Sequence, residues 1–395
     1  MMIAWHVYPL GFLGAPIRPG EAPPLVHRLP HLIDWLDYAT DLGCDALSLG
    51  PVFASVSHGY DTLDYLRIDP RLGDDDDFDA LIRAAHERGV RVFLDGVFNH
   101  ASARHPDERL FARDERGPRP FEGHGDLIEW DHSHPEVVQR TAQIMNHWLG
   151  RGADGWRLDA AYATGPHFWA RVIPQVRQQH PQAYVFAEMI HGDYASFVAT
   201  SGVDSVTQYE LWKAIWSSLV DVNFFELRWT LQRHAALLDT FAPVTFIGNH
   251  DVERIASRVG PALVPLALAV IMTVGGEPHL YYGDEQGFTG VKAEGFAADD
   301  PLRVAFPDRP ADLGEAGRGL LDVHRQLTRL RRAHPWLERA RTRLDQVATD
   351  RLAYTSFDRA DEARSLRVTL DRRDRAHPSC RIEDTSGTAL FDYRA

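Results

Sequence analysis

The stretch ADGWRLDAAYATGPHFWARVIPQVRQQHPQAYVFAEM, residues 153–189, has the pattern of one β–α–β unit. Two short apolar runs, Asp154–Asp159 and Tyr184–Glu188, suit strands, and the segment between them carries helix-like spacing. Both runs end on groups that can do chemistry. Arg157 and Asp159 close the first, and Glu188 closes the second.

Six more runs of this kind lie on either side: Ile3–Tyr8, Asp45–Leu49, Val90–Asp95, Ser205–Tyr209, Val244–Gly248 and Pro278–Tyr282. Apolar residues recur at three and four between them, as in Leu29–Leu42 and Phe78–Arg88. Eight strands alternating with helices predict an α/β fold closed into a (β/α)8 TIM barrel over residues 1–335. The connection after His100 is longer than a turn and a helix require, and its Arg116-Gly117-Pro118-Arg119-Pro120 segment has loop chemistry. A short excursion over residues 101–135 is therefore expected above the barrel mouth, followed by a helix over Val137–Leu149. Beyond Pro335 the pattern changes to alternating segments, Leu352–Phe357, Ser365–Leu370 and Ala389–Asp392, which predict a small β-rich module over residues 336–395.

Composition narrows the partners. The 395 residues are 44% apolar, enough for a large core, and carry 42 basic against 56 acidic side chains, a net charge of −14. Such a surface repels nucleic acid and anionic membranes, and suits neutral substrates such as sugars. The two cysteines, Cys44 and Cys380, offer neither a disulfide framework nor a metal cluster. MMIAWHVYPLGF at the start lacks the basic and small-residue features of a secretory signal. The longest apolar run, Ala262–Gly275, is too short for a bilayer span. A soluble, cytoplasmic protein is the expectation. The acidic run Asp74–Asp77 suits a helix N-terminus and lacks the glycine and spacing of a calcium loop.

In a barrel of this kind, chemistry sits where the strands end at their C-terminal side. Ser57-His58-Gly59-Tyr60-Asp61 follows strand two, Asp95-Gly96-Val97-Phe98-Asn99-His100 strand three, and Gly248-Asn249-His250-Asp251 strand seven. Within these segments and their neighbours, Asp159, Glu188 and Asp251, with Arg157, His100 and His250, bring three carboxylates, an arginine and two histidines to one rim. Arg157 and Asp159 stand two apart and point to the same face, so the guanidinium favours an ionised Asp159. Glu188, one strand over, is placed to hand a proton to a leaving oxygen. Two carboxyls about 5–5.5 Å apart across a glycosidic bond define a retaining mechanism with a covalent glycosyl-enzyme. Neighbouring strands about 4.8 Å apart can supply that separation. The plainer alternative is a structural ion pair, Arg157–Asp159, beside an unrelated rim carboxylate.

Read in order, DGVFNH (95–100), GWRLDAA (155–161), FAEM (186–189) and IGNHD (247–251) resemble the signature regions of the α-amylase family of glycoside hydrolases. HGYDTLDYLRIDPRLG (58–73) and GGEPHLYYGDE (275–285) resemble its flanking blocks. The resemblance runs from about Ile3 to Pro307. It implies that Asp159 is the nucleophile, Glu188 the acid/base, and Asp251 a third carboxylate gripping sugar hydroxyls. It further implies that His100 and His250 bind hydroxyls of the sugar being transferred, with Tyr60 stacked beneath that sugar. Asp61 and Arg303 resemble an acid–arginine pair that closes the pocket in exo-acting members.

The chain also departs from that pattern. Many family members have Lys and His after the nucleophile segment, the first on the leaving-group sugar and the second beside a calcium ion. Tyr162 and Ala163 stand there instead. No cofactor is therefore required, calcium stays a possible but unsupported ligand, and the leaving-group side must be built differently. The block LIEWDHSHPEV (127–137) holds Asp131, His132, His134 and Glu136, which sit mostly on a loop rather than at metal-ligand spacing. Gly150, Gly152 and Gly155 complete a GxGxxG, but a helix precedes it and a strand follows, the reverse of a dinucleotide site. The expected partner is an α-linked oligosaccharide. Transglycosylation or isomerisation through the same intermediate is the alternative, and a silent sugar-binding barrel a second one.

Overall fold

The computed structural model describes residues 1–20, 23–295 and 297–395. Eight parallel strands carry the fold: β1 (Ala4–Val7), β2 (Ala46–Leu49), β3 (Arg91–Gly96), β4 (Gly155–Leu158), β5 (Tyr184–Ala187), β6 (Ser205–Val206), β7 (Val244–Phe246) and β8 (Glu277–Tyr281). Their order in the sheet is β6-β5-β4-β3-β2-β1-β8-β7, all parallel. The remaining gap closes through a parallel bridge from Thr207 to Val244 and a 2.9 Å bond from the Gln208 N–H to the Val244 carbonyl. The sheet is thus a closed (β/α)8 barrel.

Each anticipated strand overlaps an observed one, with β3 running one residue past its anticipated end and β8 beginning one residue early. β6 is shorter than its apolar run, because the chain turns after Val206 and Tyr209 opens a helix, Tyr209–Asp221, capped by the Gln208 side chain. Leu29–Leu42 divides into two short helices, Leu29–Ile33 and Leu36–Asp41, with the fully buried Trp35 between them. The acidic run is a helix start. Asp74 accepts from the N–H groups of Asp76 and Asp77, Asp77 reaches back to Asp74, and the helix Asp75–Glu87 follows.

The barrel interior is layered by the period-two alternation of its strands. Near the bottom, Met2, Ala4, Ala46, Phe93, Phe186 and Val244 form an apolar plug. Gly155 belongs to this level for steric reasons, since a Cβ there would lie 1.9 Å from the Tyr184 carbonyl oxygen. That closeness, rather than a nucleotide, explains the third glycine of the GxGxxG. Above the plug the inward residues turn polar: His6, Ser48, Arg157 and His279 border a small cavity of about 20 Å³ that reaches Glu188 and Tyr209.

After β3 the excursion folds into a three-stranded antiparallel piece, His100–Ser102, His124–Glu129 and Pro120–Phe121, before the helix Pro135–Gly150. At the other end of the chain, β9 (Arg341–Val347), β10 (Arg351–Phe357), β11 (Ser365–Asp371), β12 (Ser379–Glu383) and β13 (Ala389–Arg394) form a five-stranded antiparallel meander. The helix Val264–Thr273 is buried at all ten residues, between the barrel and this sheet. Its last carbonyls are served by the fully buried Arg331, which donates to Met272 at 3.0 Å and Val274 at 2.9 Å. The apolar run Ala262–Gly275 is therefore core. Among the described residues no helix is long and apolar enough to cross a membrane. Both cysteines are buried and unpaired.

Candidate active site

Strand register brings the central carboxylates together. Leu158 of β4 stands opposite Ala187 of β5, and the Glu188 N–H bonds the Leu158 carbonyl at 2.9 Å, so Asp159 and Glu188 leave adjacent strands at the same height. Asp159 is tied to the other neighbour through its N–H and the Gly96 carbonyl, 3.0 Å. The next residue, Ala160, adopts left-handed backbone (φ 45°, ψ 36°), a costly conformation for a residue with a Cβ. It aims the Ala160 N–H at Glu188 Oε2, 3.0 Å away.

Arg157 holds the cluster. Its Nη1 lies 2.7 and 2.6 Å from the two Asp95 oxygens and 3.1 Å from Asp159 Oδ1, while its Nη2 lies 3.0 Å from Glu188 Oε1. One guanidinium therefore spans Asp159 and Glu188, whose facing oxygens are separated by at most its width plus two contacts, roughly 8 Å. Tyr60 donates to Asp95 Oδ2 at 3.1 Å and also bonds His250 Nε2. His250 reaches Asp251 Oδ2 at 3.1 Å, and Arg303 reaches Asp251 Oδ1 at 3.1 Å. Tyr60, Arg157, Asp159, Glu188, His250, Asp251 and Arg303 thus form one connected set, with Asp95 at its base.

The electrostatics separate the carboxyls. Burial raises Asp159 well above the usual carboxylate range; Arg157 opposes this, and the charges of Glu188, Asp95 and Asp251 reinforce it. Asp95, fully buried, is raised for the same first reason. Burial pushes Asp251 upward too, but His250, Arg303 and Arg157 outweigh it and hold that carboxyl far below its ordinary value. Asp251 is an anion. The Arg157 guanidinium, which the sequence reading expects to favour an ionised Asp159, is thus outweighed at Asp159 by burial and by the surrounding carboxylates. Burial lowers the nearby imidazoles, His100 and His279 each to about 3 and His6 well below the ordinary histidine value.

One expected pairing is not formed. Asp61 does not pair directly with Arg303: it accepts from the Ser57 N–H and Oγ at 3.0 and 2.6 Å and faces His58 at 4.0 Å. Arg303 turns to Asp251 because the His250 carbonyl holds its Nε at 3.2 Å and its guanidinium lies over the Tyr8 ring at 4.6 Å. His100 is buried and stacked on Phe121 of the excursion, ring centroids 4.5 Å apart. Asp131, His132, His134 and Glu136 go separate ways, to Ser133, the Phe98 carbonyl, the Glu136 N–H and Arg109. Among the described residues, His27, Asp74 and Asp77 have the metal-ligand proximity of a three-group set, and Asp74 and Asp77 there form the capping box described above.

Residues 28–116 and 122–329 match the family described as alpha amylase, catalytic domain. The chain belongs to the alpha-amylase family. It is 31% identical to neopullulanase 2 of Thermoactinomyces vulgaris over 87% of this chain and 62% of that one. It is 28% identical to the cyclomaltodextrinase of Geobacillus thermopakistaniensis over 88% of this chain and 62% of that one. Among solved structures, the cyclic α-maltosyl-(1→6)-maltose hydrolase from Arthrobacter globiformis, in complex with cyclic α-maltosyl-(1→6)-maltose, superposes with a TM-score of 0.79. Its identity is 26%, over 94% of this chain and 90% of that one. The chain spans about 62% of the length of the two curated relatives.

In this alpha-amylase family chain, the rim beyond the GWRLDAA segment (155–161) is built on the excursion. Tyr162 donates to Glu122 of the excursion at 3.0 Å and packs with Phe121 and Leu127. Asp95, Tyr209 and Asn249 were not singled out from the sequence, though all belong to the site's hydrogen-bond network. Asp95 and Asn249 lie inside the quoted motifs, whereas Tyr209 was hidden as the last residue of an apolar run.

Proposed function

We propose that this chain is a retaining glycosidase that cleaves α-glucosidic bonds of malto-oligosaccharides or related cyclic and branched glucans. The observation that carries the reading is the bridging of Asp159 and Glu188 by the one Arg157 guanidinium, on adjacent strand ends, with Asp251 held anionic beside them. The two relatives, a neopullulanase and a cyclomaltodextrinase, fit the same substrate class.

In this reading Glu188 gives its proton to the glycosidic oxygen as the C1–O bond breaks, and Asp159 closes on C1 to form the glycosyl-enzyme. A water then loses a proton to Glu188 and displaces Asp159 from C1, so the anomeric configuration is kept. Asp251 and Arg303 grip sugar hydroxyls, and His250, carried beside them, donates to another. The excursion and Tyr162 border the leaving-group side, and no metal takes part.

The reading is tested by following maltotriose and a cyclic maltodextrin with the wild type and with Asp159→Asn. The wild type yields shorter sugars of α-configuration, and the variant loses about 10⁴-fold in kcat, the scale of losing a nucleophile. Products of β-configuration, or a variant within tenfold of wild type, would overturn it.

A further inference from the structure

Glu188 is surrounded unequally. Its Oε1 faces Arg157 Nη2 at 3.0 Å and accepts from the Tyr209 hydroxyl at 3.1 Å, whereas its Oε2 has the Ala160 N–H at 3.0 Å. The Tyr209 hydroxyl has a fixed sense. Asn249 accepts the Asp251 N–H on Oδ1 at 2.9 Å, which turns its Nδ2 toward Tyr209 Oη at 2.8 Å. An amide nitrogen only donates, so the single hydroxyl proton of Tyr209 must point at Glu188. Tyr209 and Asn249 are both buried, and the Tyr209 ring is packed edge-on against Phe246, centroids 4.9 Å apart, so the bond has little freedom to turn away.

We infer that Tyr209 is a positioning residue that commits Oε1 of Glu188 to accepting hydrogen bonds and so reserves Oε2 for the acid proton. The inference rests on the reading of Glu188 as acid/base. With Oε1 facing a cation and a donated hydroxyl, a proton on that oxygen has no acceptor to face. On Oε2 one lone pair takes the Ala160 N–H and the other position stays free for the proton. In the first step that proton passes from Oε2 to the glycosidic oxygen; in the second, Oε2 takes it back from the attacking water. The chain Asp251 N–H, Asn249, Tyr209, Glu188 also joins the third carboxylate's loop to the acid/base across the barrel mouth, so the two are set by one network.

The test compares Tyr209→Phe with wild type on two substrates by kcat/KM. Maltotriose has a poor leaving group that needs the proton; α-glucosyl fluoride expels fluoride without it. Tyr209→Phe keeps the ring, and is expected to lose roughly 10- to 100-fold on maltotriose while staying within about threefold on the fluoride. The alkaline limb of its maltotriose pH profile should also move, which a packing defect would not cause. Asn249→Asp serves as the second variant if the first does not fold: it keeps the acceptor for the Asp251 N–H but draws the Tyr209 proton away from Glu188, and the same split is expected. Equal losses on both substrates, or no loss on maltotriose, would overturn the role of Tyr209. Glu188→Gln separates the two readings. If it cleaves maltotriose like wild type, the acid/base assignment itself fails; if it turns over only the fluoride, that assignment stands whatever Tyr209 does.

Discussion

Replacing Arg157 with Met keeps much of the side chain's bulk and removes the one charge that Asp95, Asp159 and Glu188 share. Arg157 is 5% exposed and Asp95 0%, so neither water nor a neighbouring cation can take over. Removing one partner of a buried ion pair costs about 3–5 kcal/mol, because the remaining charge is stranded. Here it leaves Asp95 with Tyr60 as its close donor, Tyr60 Oη to Oδ2 at 3.1 Å. The loss must also depend on pH. Burial already raises Asp95 and Asp159 above their unfolded values, and without Arg157 they rise further. A carboxyl raised on folding makes the folded state bind the proton more tightly, so stability is greatest at low pH and falls as pH climbs through the folded value. The variant should therefore lose most at pH 8 and recover part of the deficit at pH 5.5, by up to about 1.4 kcal/mol per pH unit for each proton held. Urea unfolding followed by tryptophan fluorescence reads this directly, since Trp5, Trp35, Trp148, Trp156 and Trp169 are fully buried. A deficit below about 1 kcal/mol at pH 8, or one equal at both pH values, would refute the argument that Arg157 is the cluster's counter-charge.

Further expectations follow from the same structure. Because the nucleophile must be ionised and burial raises Asp159, kcat/KM on maltotriose should fall on the acid side at a pH above the ordinary carboxylate range. Full activity maintained down to about pH 4 would contradict this. Arg331→Met should cost about 3 kcal/mol in urea unfolding, since it orphans buried carbonyls of Met272 and Val274 at the end of the Val264–Thr273 helix; a change under about 1 kcal/mol would show that the carbonyls find other donors. Excess EDTA is expected to leave the melting temperature and the activity unchanged, with Ala163 at the position where the family resemblance places a calcium-associated histidine in many members. A drop of several degrees reversed by added calcium would contradict it.

Much of this was legible because barrel strands are short, apolar and separated by amphipathic helices, and because catalytic groups cluster at strand ends. Arg157, Asp159, Glu188, His250 and Asp251 could each be placed from motif and register. What the sequence concealed was pairing. Arg303 was matched with Asp61, and spacing could not show that Asp61 is occupied by Ser57 while Asp251 lies within 3.1 Å of the guanidinium. Tyr209 was hidden because it was read as the end of the strand Ser205–Tyr209, whereas the backbone has already turned there into a helix capped by Gln208. In the C-terminal sheet, β9 and β12 escaped notice for a related reason. Arg341, Arg343 and Asp345 make β9 read as a polar loop, although it is an edge strand with few residues turned to the core, and β12 has only Cys380 and Ile382 facing inward. The hairpin Phe53–Ser55 with Thr62–Ile68, which carries Tyr60 and Asp61 on its turn, was visible as a motif but not as strands.

The central claim is that Asp159 bonds covalently to the sugar. Peptide mapping by mass spectrometry after quenching the enzyme with 5-fluoro-α-glucosyl fluoride, whose ring fluorine slows breakdown of the intermediate, addresses it directly. The account predicts a fluoroglucosyl adduct on the peptide containing Asp159, absent from Asp159→Asn. An adduct on Glu188 or Asp251 in its place, or inactivation with no adduct on any carboxylate, would contradict it.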